Sequence, residues 1–406
     1  MAAPIVVVGA GQAGLQTAEA LRAGGHQGGI VLIGDEPYAP YHRPPLSKGF
    51  LLGETAAAQL TIRSAEALQR KGIELRPGAR AVSVDRAARR VELQDGRRQE
   101  YAGLCLATGA RPRKLALTGA DLPNVLALRS LADARAIAQQ LEKAQRVVVI
   151  GGGFIGLEVA AVARRLGKDV VVLEFAARLM ARSVSAQVSD FYAWLHAQHG
   201  VRVELQARVE RIEQAGGLAR AVGTADGRGF DADLVLVGIG IDPEIALAQS
   251  CALECAGGIV VDECSRTADP AIVAAGDCTA RRLADGTLLR LESVQNAVEQ
   301  ARCAAAALLG QRRAFGAHPW FWSDQYDVKL QIVGLSLGHD HVALRGDPAH
   351  RAFSAFYYRQ GRLIAVDSIN RPAEHLLARR LLDAGASPDP QQVADPGIAL
   401  EGFLAK

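Results

Sequence analysis

Ile5-Val6-Val7-Val8-Gly9-Ala10-Gly11-Gln12-Ala13-Gly14 and Val147-Val148-Val149-Ile150-Gly151-Gly152-Gly153-Phe154-Ile155-Gly156 carry one pattern twice. In each, a short β-branched run predicts a buried parallel strand, and a G-x-G-x-x-G turn leads into a helix. Gly9 and Gly151 permit the tight turn, and Gly11 and Gly153 let a pyrophosphate approach the backbone. Gly14 and Gly156 let helix and strand pack closely, while the helix N-terminus offers unsatisfied N–H groups to phosphate. One such match is a weak signal. Two in the same strand–turn–helix context predict a chain that holds two dinucleotides, and the use for that is to pass electrons between them.

Outward from the first turn, Gly14 to Arg22 reads as a helix and Ile30–Ile33 as the next strand. Pro37 to Pro45 is too proline-rich for helix or central strand and reads as a rigid loop at the carboxyl end of that strand. Ala81–Val84 and Arg90–Leu93 alternate around an Asp95-Gly96 turn and predict a small antiparallel meander. Leu104–Ala107 predicts a short buried strand ending in Thr108-Gly109. The second unit repeats the plan with a helix over Gly156–Leu166 and strands at Val170–Leu173 and Leu234–Val237. Ala271–Ala275, ending in Gly276-Asp277, reads as a return to the first domain. From Pro319 the texture turns aromatic and β-branched, with strands at Leu330–Val333, Phe353–Tyr358 and Leu363–Val366 and a helix around Glu374–Ala384. The expected fold is α/β, with two Rossmann-like dinucleotide-binding domains and a C-terminal α+β domain. The expected boundaries are 1–112 with 243–318, then 113–242, then 319–406.

At 406 residues the chain exceeds a single typical core, and 49% hydrophobic with 22% charged residues is an ordinary globular balance. A net charge of +3, from 46 basic and 43 acidic residues, excludes a strong nucleic-acid footprint. The N-terminus runs straight into a strand, with no charged signal-peptide head and no run long enough for a membrane span, so a cytoplasmic address is expected. Six cysteines do not make a secreted disulfide scaffold.

A dinucleotide fold needs an acidic residue about 20 positions beyond the turn to accept from a ribose. Asp35 or Glu36 serves the first unit and Glu174 the second. A carboxylate at Glu174 repels a 2′-phosphate, which favours NADH over NADPH, although Arg178 and Arg182 stand nearby. The order of the sites alone does not say which holds flavin. The proline-clamped loop and the distant Asp277 favour the first: an Asp at a strand end can accept from a ribityl hydroxyl. Gly276-Asp277 also reads plainly as a loop and cap.

These residues resemble the FAD-dependent pyridine-nucleotide oxidoreductases of the glutathione-reductase-like fold, and more closely the NADH–ferredoxin reductases of bacterial cytochrome P450 and ring-oxygenase systems. The stretches that carry the resemblance are Gly9 to Gly14, Arg43-Pro44-Pro45-Leu46-Ser47-Lys48, Ala107-Thr108-Gly109, Gly151 to Glu158, Gly238-Ile239-Gly240, Ala275-Gly276-Asp277 and Pro319-Trp320-Phe321-Trp322-Ser323-Asp324-Gln325. The second and the last are the specific ones. The resemblance implies an FAD site drawing on Gly9, Gly11, Gly14, Arg43, Lys48, Val82, Thr108, Gly109, Arg129 and Asp277. It implies an NADH site lined by Gly151, Gly153, Ile155, Gly156, Glu158, Glu174, Arg182 and Gly240, with Glu292 and Trp322 near the nicotinamide–flavin junction and Val294 among the cofactor-binding residues. Lys48, Glu158 and Trp322 are the residues expected to position and tune the reaction. Lys48 can either stabilise negative charge on reduced flavin or pair with Glu158.

Residues 35–52 hold no cysteine, so the Cys-x₄-Cys pair of thiol–disulfide members is missing, and the remaining spacing suits neither a redox pair nor an iron–sulfur cluster or other metal. The expected route is therefore hydride from NADH to FAD, then single electrons to a [2Fe–2S] ferredoxin that supplies a cytochrome P450 or related oxygenase, in a monomeric protein without nucleic-acid or membrane partners. Arg312-Arg313 and Arg379-Arg380 are candidate steering charges for an acidic ferredoxin, and equally plain solvated runs. Reduction of rubredoxin or quinone, or redox signalling in the manner of apoptosis-inducing factor, are the competing expectations.

Overall fold

Each glycine turn leaves a parallel five-stranded sheet whose central strands are buried on both faces, as the uninterrupted β-branched runs require. The computed structural model describes residues 3–404. It divides into two compact units, one of Met1–His42, Ala58–Arg111 and Ile241–Ala317, the other of Arg43–Ala57, Pro112–Gly240 and His318–Lys406.

In the first unit the strand order is Ile272–Ala274, Gly103–Leu106, Ile5–Val8, Ile30–Ile33, Ile73–Arg76, all parallel. Side chains alternate across the sheet. Ile5 and Val7 join the core under the helices Gln12–Ala23 and Val294–Leu308. Val6 and Val8 pack against Val84, Val91 and Leu93 of the meander Ala81–Asp85, Arg90–Leu93 and Arg98–Glu100. The Ile272–Ala274 strand does return to this sheet from far along the chain, pairing Leu104 to Leu106.

The second unit repeats the plan in the order Arg202–Glu204, Asp169–Leu173, Arg146–Ile150, Leu234–Val237, Val125–Leu126. Val148 and Ile150 are covered by an antiparallel sheet of Val209–Ala215, Leu218–Thr224 and Gly229–Asp231. The C-terminal part is an antiparallel sheet ordered Trp320–Gln325, Val328–Gly334, Arg362–Ile369, Ala352–Arg359, His341–Asp347. Helix Pro372–Asp383 closes it over Val333, Phe356 and Val366. Buried Arg345 ties down the tail by donating to the carbonyls of Val393, Asp395, Pro396 and Ile398.

Two readings change, and several elements are added. Both fingerprint helices begin earlier than expected, at Gln12 and Phe154, so Gly14 and Gly156 lie inside the first turn. The proline loop contains one 3₁₀ turn, Pro44–Ser47, because both prolines take positions whose missing N–H is not needed. The helices Leu131–Lys143, Ala186–Gln198 and Val294–Leu308, and the sheet over 209–231, were not read from the sequence.

Candidate functional site

The glycines do what their spacing demands. Gly9 sits at φ +111° and Gly151 at +108°, a region that side chains rarely occupy. A Cβ on Gly14 would overlap the Gly9 carbonyl oxygen, and one on Gly156 would overlap that of Gly151. Gly11 and Gly153 face open space, and each is the N-cap of its helix with no side chain capping it. Two helix N-termini thus keep their N–H groups available beside a gap that no side chain fills. That is a fit for one dinucleotide pyrophosphate at each turn.

Around the first turn, Gly276 packs against the first helical residues: a Cβ there would meet the Cβ of Ala13 at 2.9 Å. This places Asp277 beside the fingerprint helix. Thr108 Oγ1 donates to the Glu244 carbonyl at 2.5 Å, and Gly109 accepts from Glu244 N, so the strand end is anchored. Asp35 is exposed, whereas Glu36 accepts the Tyr41 hydroxyl at 2.6 Å. Val82 is exposed on the meander. Glu292 pairs with Arg290 at 2.6 Å, and Val294 opens the helix capped by Ser293.

In the second unit Glu174 is fixed at the end of its strand. One carboxylate oxygen accepts from Gly152 N and the other from Ala176 N, both at 2.6 Å. A carboxylate has about four acceptor positions, so lone pairs remain for a ribose. Arg178 is committed elsewhere, donating to Ala181 O, Val184 O and Ser189 Oγ. Arg182 is exposed and lies 3.6 Å from where a Gly240 Cβ would stand. Ile155 is 44% exposed at the helix start. Arg43 donates to the Arg129 carbonyl at 2.8 Å.

The same unit gathers Lys48 and Glu158. Glu158 is almost fully buried on the fingerprint helix. Its Oε2 accepts from Lys48 Nζ at 2.7 Å and Ser47 Oγ at 2.5 Å, and its Oε1 from Ser323 Oγ at 2.6 Å. Burial pushes this carboxyl up, and the Lys48 cation and the two hydroxyls pull it back. Trp322 lies on the opposite face of its strand from Ser323, with its ring 5.6 Å from that of Trp320. Sequence reasoning singled out Trp322 and missed Ser47 and Ser323. Strand alternation within Trp322-Ser323-Asp324-Gln325 was the signal, since one face carries two small or amide side chains that are wholly buried.

Of the expected FAD residues, Gly9, Gly11, Gly14, Val82, Thr108, Gly109 and Asp277 belong to the first unit, and Arg43, Lys48 and Arg129 to the second. All six cysteines are free. Burial raises Cys105 to about 12 and Cys303 to about 11, and lifts Cys251, Cys255 and Cys278 as well. Arg312 and Arg313 pair with Glu263 and Glu299, while Arg379 lies over the Trp320 ring. Among the described residues no helix is long and apolar enough to cross a membrane, and no cluster of three His, Cys, Asp or Glu could hold a metal ion.

Residues 3–301 match the pyridine nucleotide-disulphide oxidoreductase family and residues 320–404 the reductase C-terminal family. The chain is 45% identical over 403 residues to rhodocoxin reductase of Rhodococcus erythropolis, covering 99% of this chain and 94% of the relative. Among solved structures, the ferredoxin reductase for the CYP199A2 system of Rhodopseudomonas palustris superposes with a TM-score of 0.97 at 43% identity over 100% of both chains. The reductase in the covalent putidaredoxin reductase–putidaredoxin complex does so at 0.95 and 40%, over 99% of this chain and 98% of that one. With its paired glycine turns, its C-terminal sheet and full-length likeness to these reductases, the chain belongs to the pyridine nucleotide-disulphide oxidoreductase family, as a flavoprotein using FAD and a nicotinamide dinucleotide.

Proposed function

We infer that this protein is an FAD-dependent NADH:ferredoxin oxidoreductase. One NADH and two oxidised [2Fe–2S] ferredoxins give NAD⁺, two reduced ferredoxins and a proton, and the ferredoxin in turn supplies a cytochrome P450 or related oxygenase. The observation that carries the reading is the pair of uncapped glycine turns in a chain whose six cysteines are all free. Such a chain has two dinucleotide cradles, and its residues 35–52, where thiol–disulfide members carry their redox pair, hold no cysteine. The relatives point the same way: one was crystallised covalently joined to its own redoxin.

FAD, when bound, supplies the chemistry of taking two electrons together and releasing them singly. The chain's task is to bind and orient. We assign Gly9, Gly11, Gly14, Asp35 or Glu36, Val82, Thr108, Gly109 and Asp277, with Arg43, Arg129 and Lys48, to FAD. Gly151, Gly153, Ile155, Gly156, Glu174, Arg182 and Gly240 are assigned to NADH. Glu174 sets the preference for a ribose without a 2′-phosphate, since its carboxylate is already fixed in place by two backbone N–H groups. Val294 is assigned to cofactor binding, and Lys48, Glu158 and Trp322, with Glu292, to the nicotinamide–flavin junction. There Glu158 neutralises Lys48 and holds it in one position rather than moving a proton. The three-domain division at 112, 242 and 318, a cytoplasmic setting and a monomeric state belong to the same reading.

Stopped-flow reduction of the purified yellow protein by NADH, followed by mixing with a small [2Fe–2S] ferredoxin, tests it. Rapid bleaching and one-electron transfer to the ferredoxin are expected. Rapid bleaching with negligible transfer to several ferredoxins, but fast reduction of quinone, would overturn the ferredoxin assignment.

A further inference from the structure

Glu158 is reached from the side opposite Lys48 by a string of buried polar groups with no assigned role. Ser323 Oγ donates to Glu158 Oε1 at 2.6 Å, and Gln325 Nε2 donates to Ser323 Oγ at 3.2 Å. Gln325 Oε1 lies 2.8 Å from His196 Nε2, and His196 Nδ1 lies 3.3 Å from the Tyr326 hydroxyl. Ser323, Gln325 and His196 are completely buried. Tyr326 holds a left-handed backbone, φ +57°, and its ring stacks on His199 at 3.7 Å and 7°. A bulky residue at positive φ is strained and persists where its surroundings demand it.

The roles in this string follow from its inner end. An ionised carboxylate can only accept, so the Ser323 proton points at Glu158 and the Ser323 oxygen must accept. Gln325 then presents its NH₂ to Ser323 and its carbonyl to His196. That requires a proton on His196 Nε2 and leaves Nδ1 to accept from Tyr326. Every donor points towards Glu158. Placing a proton on Glu158 Oε1 would reverse the Ser323 link and take from the Ser323 hydroxyl the carboxylate acceptor that fixes its direction.

We propose that Tyr326, His196, Gln325 and Ser323 form a polarised positioning chain that fixes the orientation and negative charge of Glu158, and through it the Lys48 ammonium. The proposal rests on the junction role given to Lys48 and Glu158 above. His196 stays neutral within the chain, burial holding it down at about 4. The charged and titratable groups around the chain are Lys48 and Tyr192 beside Glu158, His199 beside His196, and Arg164, Arg351 and Asp327 around the Tyr326–His199 stack.

Infrared titration of the FAD-bound protein tests this, with the Glu158 carboxyl band identified by its loss in Glu158→Gln. Ser323→Ala should raise the Glu158 midpoint by about one pH unit, the cost of one hydrogen bond to a buried charge. Gln325→Leu should raise it in the same direction by less, and Ser323→Thr should restore it. Nitrogen-15 resonances of His196 should report the Nε2–H tautomer in the parent protein, with that preference lost in Ser323→Ala. An unmoved midpoint in Ser323→Ala, or a His196 tautomer indifferent to Ser323, would overturn the chain. The junction role is judged separately. If Glu158→Gln and Lys48→Met reduce with NADH at the parent rate while the infrared shifts appear, that role fails and the chain stands.

Discussion

The two glycine turns are nearly superimposable in their demands and differ in what answers them. Gly9 and Gly151 share a φ within a few degrees, Gly14 and Gly156 each meet the carbonyl of their own turn's first glycine, and Gly11 and Gly153 both face open space. The middle residue separates them, being Ala10 in one and Gly152 in the other. At Gly152 a Cβ would press within 3.1 Å of Glu174 Oε2 and closer still to Leu179, because Glu174 follows its strand directly and folds back onto the turn. In the first unit Gly34 holds the equivalent place, and the acids come one and two residues later, Asp35 exposed and Glu36 bonded to Tyr41. The cradle for phosphate is thus common property, whereas the acid that reads the ribose is rigid in the second unit and loop-borne in the first.

The sharpest way to break this parallel is to make the same steric error on both sides. Gly14→Val is expected to yield protein without bound FAD, seen as loss of the yellow absorbance. Gly156→Val should stay yellow yet lose at least roughly 100-fold in its rate of reduction by NADH, because a misplaced donor forfeits the proximity term. Equal loss of colour in both would show that the second turn supports the whole fold. Next in size, Glu174→Ser removes a fixed negative charge, and the NADH over NADPH ratio of kcat/KM should fall about tenfold.

An effect on stability rather than on catalysis separates the units by pH. Burial lifts Asp367 from 3.8 to about 7, with the Tyr357 hydroxyl 2.5 Å away opposing it. Its contribution to stability is complete below its ordinary value and is lost as pH rises through 7. His196 and His375, both held near 4 by burial, act the other way: their contribution is present above 6.5 and lost as pH falls through 4. All three belong to the second unit. Asp367→Asn should therefore raise stability at pH 8, by on the order of 4 kcal/mol at most and seen as a higher Tm, and change it little at pH 4. A Tm equally shifted at both values would refute the assignment. Smallest of all, Asp35→Ser should alter FAD retention less than about twofold, since an exposed loop carboxylate contributes little. A large loss would make the first unit's acid as decisive as Glu174.

The strands and turns were legible because their causes are local. A β-branched run and a glycine that must take positive φ announce themselves within ten residues. Helix Leu131–Lys143 went unread although Ser130 and Asp133 form a reciprocal capping box, a signal present in the sequence. Helix Ala186–Gln198 is hydrophobic on several sides and offers no clean stripe, so its pattern carried little. The Lys48–Glu158 pair was reachable through motif likeness. Alternation marks Ser323 and Gln325 as one face of a strand, but their link to Glu158, like that of Ser47 and His196, is tertiary contact across as many as 165 positions, and no spacing rule spans that distance.

The six unbridged cysteines have a practical consequence. Five of them carry thiols that burial holds in the protonated, weakly nucleophilic form. A maleimide dye offered at neutral pH would find few native targets. One cysteine introduced at an exposed site such as Leu337 could therefore be tagged almost alone, giving a reporter for redoxin docking without first stripping the natural thiols from the chain.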